Sequence, residues 1–221
     1  MTLRAESAER FVLRTPLIAS LLALGFSSAV AAPEDAPFSA RLLVGARLSI
    51  ERAPRYDPSY VRIPFPGGDP GWERGACVDV VVRAFRHAGI DLQERVHEDI
   101  IAQPRAYGIA RPDPSLDHRR VRNLKVFFER HARPIPLASD DWRPGDIVVW
   151  DLSGGAAPNH VGIVSDRTGA RGTPLVIHHF TARAGFTGRP SEDDCLRRWR
   201  ILAHFRWPDD VSTSERPEPA R

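Results

Sequence analysis

The spacing of apolar residues changes period once along this chain, and that single change limits the folds open to it. Up to about residue 131 the apolar side chains recur at helical spacing; from residue 146 onward they come in short runs divided by Gly-rich or charged turns. The spacing predicts a helix over 40–52, capped by Ser39, with Leu42, Leu43, Ala46 and Ile50 on one side. A second helix begins near Ala76 and ends at Gly89. Cys77, Val81, Ala84, Phe85 and Ala88 share one of its faces, and Asp79, Arg83, Arg86 and His87 another. A third is expected over 121–131, burying Leu124, Phe127 and Phe128, whereas 93–120 lacks strong periodicity. Strands are expected over 146–151, 161–166, 174–180 and 196–207. Helices followed by an antiparallel meander read as an α+β domain.

The ends read differently. Arg4, Arg10 and Arg14 precede the apolar run Pro16 to Phe26, and Ala29-Val30-Ala31 supplies the small residues of a cleavage site. This predicts a signal peptide over 1–31 and a soluble protein that is periplasmic or secreted. The apolar run, broken by Gly25, Ser27 and Ser28, falls short of the roughly 20 residues of a membrane span. An uncleaved anchor is the alternative, and no stable membrane insertion is expected after cleavage. One domain over 38–207 and a disordered polar tail over 208–221 complete the organisation. The full chain carries a formal charge of +3, and Lys125 is its only lysine. Arginine clamps carboxylates and phosphates bidentately, so an anionic partner such as cell-wall peptide fits. The absence of a basic stripe interleaved with aromatic residues argues against nucleic acid.

Gly75-Ala76-Cys77-Val78-Asp79 opens the second helix, Asn159-His160-Val161-Gly162-Ile163 enters a strand, and Val176-Ile177-His178 ends the next. A thiol at a helix start beside imidazoles suits nucleophilic acyl chemistry, because the thiolate attacks and something must hold it ionised. Cys77 is the expected nucleophile, His160 the base that forms an ion pair with it, and His178 the group that orients His160. His179 points to the opposite face from its neighbour and is expected to reach solvent. The backbone N–H of Cys77 is an oxyanion donor, and Tyr56 or Tyr60 from the preceding loop supplies a second. Asp79 either orients a catalytic group or pairs with Arg83, four residues on, the structural role being favoured. Arg119 and Arg120 either bind substrate carboxylates or form a solvated cluster. Trp150 either lines the cleft or packs in the core. Cys77 and Cys195, the only cysteines, suggest a disulfide in an oxidising compartment, but the acidic Asp193-Asp194 setting of Cys195 separates their roles. Zinc held by Cys77, His160 and His178 is a rival use; the paired short spacings of zinc modules are absent, so no metal or cofactor is expected.

At these residues the chain resembles the NlpC/p60 superfamily of papain-like cell-wall hydrolases. Ala76-Cys77-Val78-Asp79-Val80, Pro144-Gly145-Asp146-Ile147-Val148, His160-Val161-Gly162-Ile163 and Val176-Ile177-His178-His179 stand where that family has its four signature segments. Val78-Asp79 replaces a Ser-Gly pair, and 93–120 is an insertion. Those departures, with Arg55-Tyr56-Asp57-Pro58, Gly67-Gly68-Asp69 and Asp117-His118-Arg119-Arg120, resemble the branch filed as domain of unknown function 1287. The resemblance implies a papain-like fold, N-terminal helices packed on a C-terminal antiparallel sheet, and a cysteine peptidase or amidase. Its substrate would be peptidoglycan, cut within the stem peptide or between sugar and peptide. A non-enzymatic periplasmic binding or regulatory module and an acyltransferase are the alternatives.

Overall fold

The structure, a computed structural model, describes residues 35–209. The expected signal peptide and nearly all of the expected tail lie outside the described residues. The chain opens with α1 (Phe38–Arg52), the two-residue strands β1 (Arg55–Tyr56) and β2 (Arg74–Gly75), and α2 (Cys77–His87). Next come α3 (Leu92–Ala102), α4 (Pro104–Tyr107), a 3-10 turn (Asp117–Arg119), α5 (Val121–His131) and β3 (Arg133–Pro134). The strands β4 (Ile147–Asp151), β5 (His160–Thr168), β6 (Pro174–His179), β7 (Pro190–Asp193) and β8 (Arg200–Arg206) follow.

This is an α+β arrangement around a six-stranded antiparallel sheet in the order β3-β8-β4-β5-β6-β7. β4 to β7 form the expected meander, but β8 returns to pair with β4, so the sheet is not a meander throughout. Side chains alternate across it. Ile147, Val149, Val161, Ile163, Ile177 and Phe205 pack against α1, α2 and α5, while Val148, Trp150, Val164 and Val176 meet Cys195, Leu196, Phe186 and Trp199 on the other face. Helices cover one face; the segment after β6 covers the other. Among the described residues no helix is long and apolar enough to cross a membrane.

Several expected elements differ. Pro37, not Ser39, is the N-cap of α1, and the Ser39 amide instead reaches the Asp209 carboxylate at 3.1 Å. The expected aperiodic stretch contains α3, whose Leu92, Val96 and Ile100 are wholly buried at four-residue spacing and whose N-cap Asp91 accepts from the Gln93 amide. β7 is polar and four residues long, so no apolar pattern announced it. β8 starts at Arg200 rather than Leu196, because Cys195 and Leu196 turn into the second cluster.

The helix α2 is sandwiched rather than half-exposed: Asp79 and Arg83, on its expected polar face, are buried too. It crosses α1 closely at Gly45, where an added Cβ would lie 2.6 Å from the His87 Cβ and 2.9 Å from the Ala84 Cα. In an exposed helix Gly→Ala gains up to about 1 kcal/mol. Here Gly45→Ala is expected to lose about 1–3 kcal/mol by overpacking, measured by urea unfolding, and a gain in stability would show that the two helices separate freely.

Candidate functional site

The thiol is presented by the first residue of α2, which follows the extended N-cap Ala76. Ala76 has no side chain with which to cap, so Asp79 does the work. Its Oδ2 accepts the Ala76 N–H at 2.6 Å. Arg119 from the 3-10 turn grips the same carboxylate through Nε and Nη2 at 2.9 and 3.0 Å, and its Nη1 donates to the Ser59 carbonyl in the loop before β2 at 3.1 Å. Asp79 therefore serves the helix start, as favoured, but its partner is Arg119. Arg83 is occupied by Asp69 at 2.7 and 2.8 Å.

Cys77 lies in the helix-side core cluster with Val161 and Ile177. Val164 N–H donates to Asp146 O on the β4 side, so by alternation the Val161 amide points toward β6. Pairing of β5 with β6 begins only at Ile163 and Ile177. The amides of Val161, Val78 and Cys77 itself lie close enough to the sulfur to favour its ionised form. The sulfur thus lies near the Val161 amide, in the notch where pairing of β5 with β6 has not yet begun. Its burial is nearly complete, and that burial, aided by the Asp79 charge and opposed by the three amides, pushes the thiol up to about 12.

His160 and His178 are brought together: His160 Nε2 lies 2.8 Å from His178 Nδ1. His178 Nε2 in turn lies 3.0 Å from Asp193 Oδ2 and 3.5 Å from Cys195 Sγ. Both rings are enclosed by Trp150, Phe180 and Trp199, with Phe186 against His178. Burial, together with the neighbouring His178 and His179, holds His160 well below its usual value. The resting pair is accordingly a neutral thiol and a neutral imidazole, not the expected ion pair, and among the described residues no hydrogen bond joins Cys77 to His160. Cys77 belongs to the helix-side cluster, whereas His160 pairs across from Trp150 on the aromatic face, its Nδ1 outside the His178 contact.

His179 does not reach solvent. It lies on the helix-covered face, wholly buried, edge-on to Tyr56 at 5.2 Å, with Nε2 3.1 Å from the Gly188 carbonyl and Nδ1 without a partner. Burial lowers it to about 4. Tyr56 is half-buried beside Cys77, and burial first, then the Cys77 and Asp79 charges, raise its phenol to about 12, which keeps it a donor. Tyr60 is 56% exposed and Arg120 is exposed at the N-cap of α5. Arg119 is not available for a substrate carboxylate, since its Nε, Nη1 and Nη2 are all engaged by Asp79 and Ser59. Trp150 is core, its Nε1 donating to Leu196 O at 3.0 Å. Cys77 and Cys195 are both free thiols.

In the sequence Asp193 carries no signal beyond the acidic Asp193-Asp194 pair beside Cys195, because the polar β7 has no apolar pattern to set it across from His178. A surface cleft of about 480 Å³ between α1 and β7, lined by Arg47, Glu51, Arg167 and Glu192, contains none of the candidate residues.

The model of the family described as "Domain of unknown function (DUF1287)" matches residues 43–207, and the chain belongs to that family. It is similar to the uncharacterised protein YijF of Escherichia coli (strain K12), with 45% identity over 169 residues, 74% of this chain and 78% of that protein.

Two outcomes follow from the buried charges. Arg119→Ala leaves Asp79 charged, buried and without its fork, and is expected to cost about 3–5 kcal/mol in chemical unfolding; a loss below about 1 kcal/mol would mean the carboxylate finds water instead. Burial also lowers His118 to about 4. The unfolded chain, titrating near 6.5, binds more protons than the native one between those values, so stability falls as pH drops from 6.5 to 4. The contribution is on the order of 3 kcal/mol. Unfolding free energies measured across that range should show a shallower slope in His118→Gln, and an identical slope would assign the acid sensitivity elsewhere.

Proposed function

We propose that this member of the DUF1287 family is an exported thiol hydrolase of papain-like fold that cleaves an amide bond in peptidoglycan. The observation that supports the reading is the buried imidazole pair, His160 Nε2 bonded to His178 at 2.8 Å, on the two strands against which α2 packs with Cys77 at its start. That bond leaves His160 Nδ1 as the nitrogen for the thiol, the division of labour a Cys/His/His site requires.

The chemistry runs as acyl transfer. His160 Nδ1 takes the Cys77 proton as the sulfur attacks the scissile carbonyl carbon, an approach that tightens from its resting geometry when substrate fills the notch. The tetrahedral oxyanion receives the Cys77 N–H and the Tyr56 hydroxyl, the latter protonated at any physiological pH because burial raises it to about 12. His160 then returns the proton to the leaving amine. Water, deprotonated by His160, attacks the thioester carbon and releases the carboxylate and the free thiol. Ionising Cys77 in the empty site costs on the order of 4 kcal/mol beyond a free thiol, from its rise from 9.0 to about 12. Proton transfer to His160 concerted with attack avoids that free thiolate.

A second reading, a binding module whose thiol is only structural, draws on the complete burial of Cys77. Digestion of purified sacculi separates the two. The wild-type chain is expected to release muropeptides whose masses gain one water per bond cut, and Cys77→Ala and Cys77→Ser should lose at least about 10³-fold in rate with folding retained. Full activity in Cys77→Ala would end the thiol mechanism, and inert wild type with an unreactive thiol would favour the module.

A further inference from the structure

The contacts around His178 extend the site by one residue. We propose that Asp193 is the positioning residue that sets the tautomers of both imidazoles, so that His160 presents an unprotonated Nδ1 to the thiol. The inference rests on the hydrolase reading for its catalytic consequence, but its structural content is independent of substrate.

The argument is a count of protons along one line of contacts. A carboxylate only accepts, so the 3.0 Å contact between Asp193 Oδ2 and His178 Nε2 requires the hydrogen to be on that nitrogen. With one ring hydrogen, placed there by Asp193, His178 has a bare Nδ1. At 2.8 Å from His160 Nε2 that bare nitrogen must accept, which places the hydrogen of His160 on Nε2 and leaves its Nδ1 a lone pair. One carboxylate therefore dictates the basic atom two rings away. Cys195 Sγ, at 3.5 Å from the same His178 nitrogen, is a weak partner and cannot set the direction by itself.

The carboxylate is well placed for this task. β6 and β7 pair with His178 opposite Ser191 and Val176 opposite Asp193, so Asp193 lies diagonal to His178 on one face. Ser191 Oγ donates to the same Oδ2 at 2.5 Å. Burial works against the Asp193 charge, but the hydrogen bonds from His178 and Ser191 outweigh it and hold the carboxyl below its usual range, so it stays ionised at neutral pH. His178 has no exposed surface, and the aromatic enclosure leaves it no water to turn toward.

The test is side-chain nitrogen-15 NMR on the full chain together with sacculus digestion. In wild type, His178 and His160 should each be protonated at Nε2 and bare at Nδ1. In Asp193→Asn, whose amide can donate to His178 Nε2, the His178 tautomer should shift toward Nδ1–H, and kcat should fall by about 10- to 10³-fold with KM within about threefold. That loss is smaller than the ~10⁴-fold of the equivalent Asp→Asn change in a serine triad, where the acid touches the base directly. Wild-type His178 protonated at Nδ1 overturns the proposal, as do tautomers or kcat that Asp193→Asn leaves unmoved. If wild type leaves sacculi intact, the hydrolase reading fails on its own, and the tautomer spectra alone decide whether Asp193 orients the pair.

Discussion

The buried carboxylate of Asp79 is the contact on which the rest of the site depends. It closes the N-terminus of α2 by accepting the Ala76 N–H, and it is itself held by the guanidinium fork of Arg119. Since Arg119 also reaches Ser59, one charge pair ties together α2, the loop over it and the 3-10 turn before α5. Both partners are 3% exposed in their side chains, so neither tolerates the loss of the other. The position of the Cys77 sulfur is a consequence of this clamp. A helix that frayed at Ala76 would withdraw the thiol from its place near the Val161 amide.

The notch itself is a product of sheet geometry. β5 and β6 pair from Ile163 toward the hairpin but not at the His160 end, where the Cys77 sulfur lies near the Val161 amide. Around this end of β5, His160 sits on the aromatic face, whereas Cys77, Tyr56 and His179 lie on the helix side.

What could be read from sequence was what apolar spacing or a motif encodes. The burial of Leu124, Phe127 and Phe128 and the start of α2 at Cys77 both follow from periodicity, and the central strands from their β-branched runs. Partnerships between distant polar residues were not legible. Arg83 sits at ideal helical spacing from Asp79, yet Asp69 takes it and Arg119, forty positions away, takes its place. His179 looked solvent-facing because alternation on an outer strand usually has a wet side, but here both faces of the sheet are covered, one by helices and one by the segment carrying Phe186, Leu196 and Trp199. The same segment hides Asp193, since β7 has the composition of a turn and becomes a strand only by pairing with β6.

The buried thiol of Cys77 is held protonated, and on the proposed reading of an exported hydrolase that has a chemical consequence. The thiolate is the form that oxidants attack, and in an oxidising compartment a permanently ionised cysteine would be converted to sulfenic acid or a mixed disulfide. Burial at Cys77 opposes ionisation more strongly than the three amides favour it. The imidazole matches this: His160 is held neutral by its aromatic surroundings, so it waits as a base rather than as a cation. On the hydrolase reading, reactivity is then tied to occupancy: a substrate carbonyl would supply the carbon on which the sulfur's charge is consumed as it forms, and the oxyanion would be met by the Cys77 N–H and the Tyr56 hydroxyl. On the hydrolase reading, the same burial that makes the free thiol a poor acid confines its chemistry to the moment of acyl transfer.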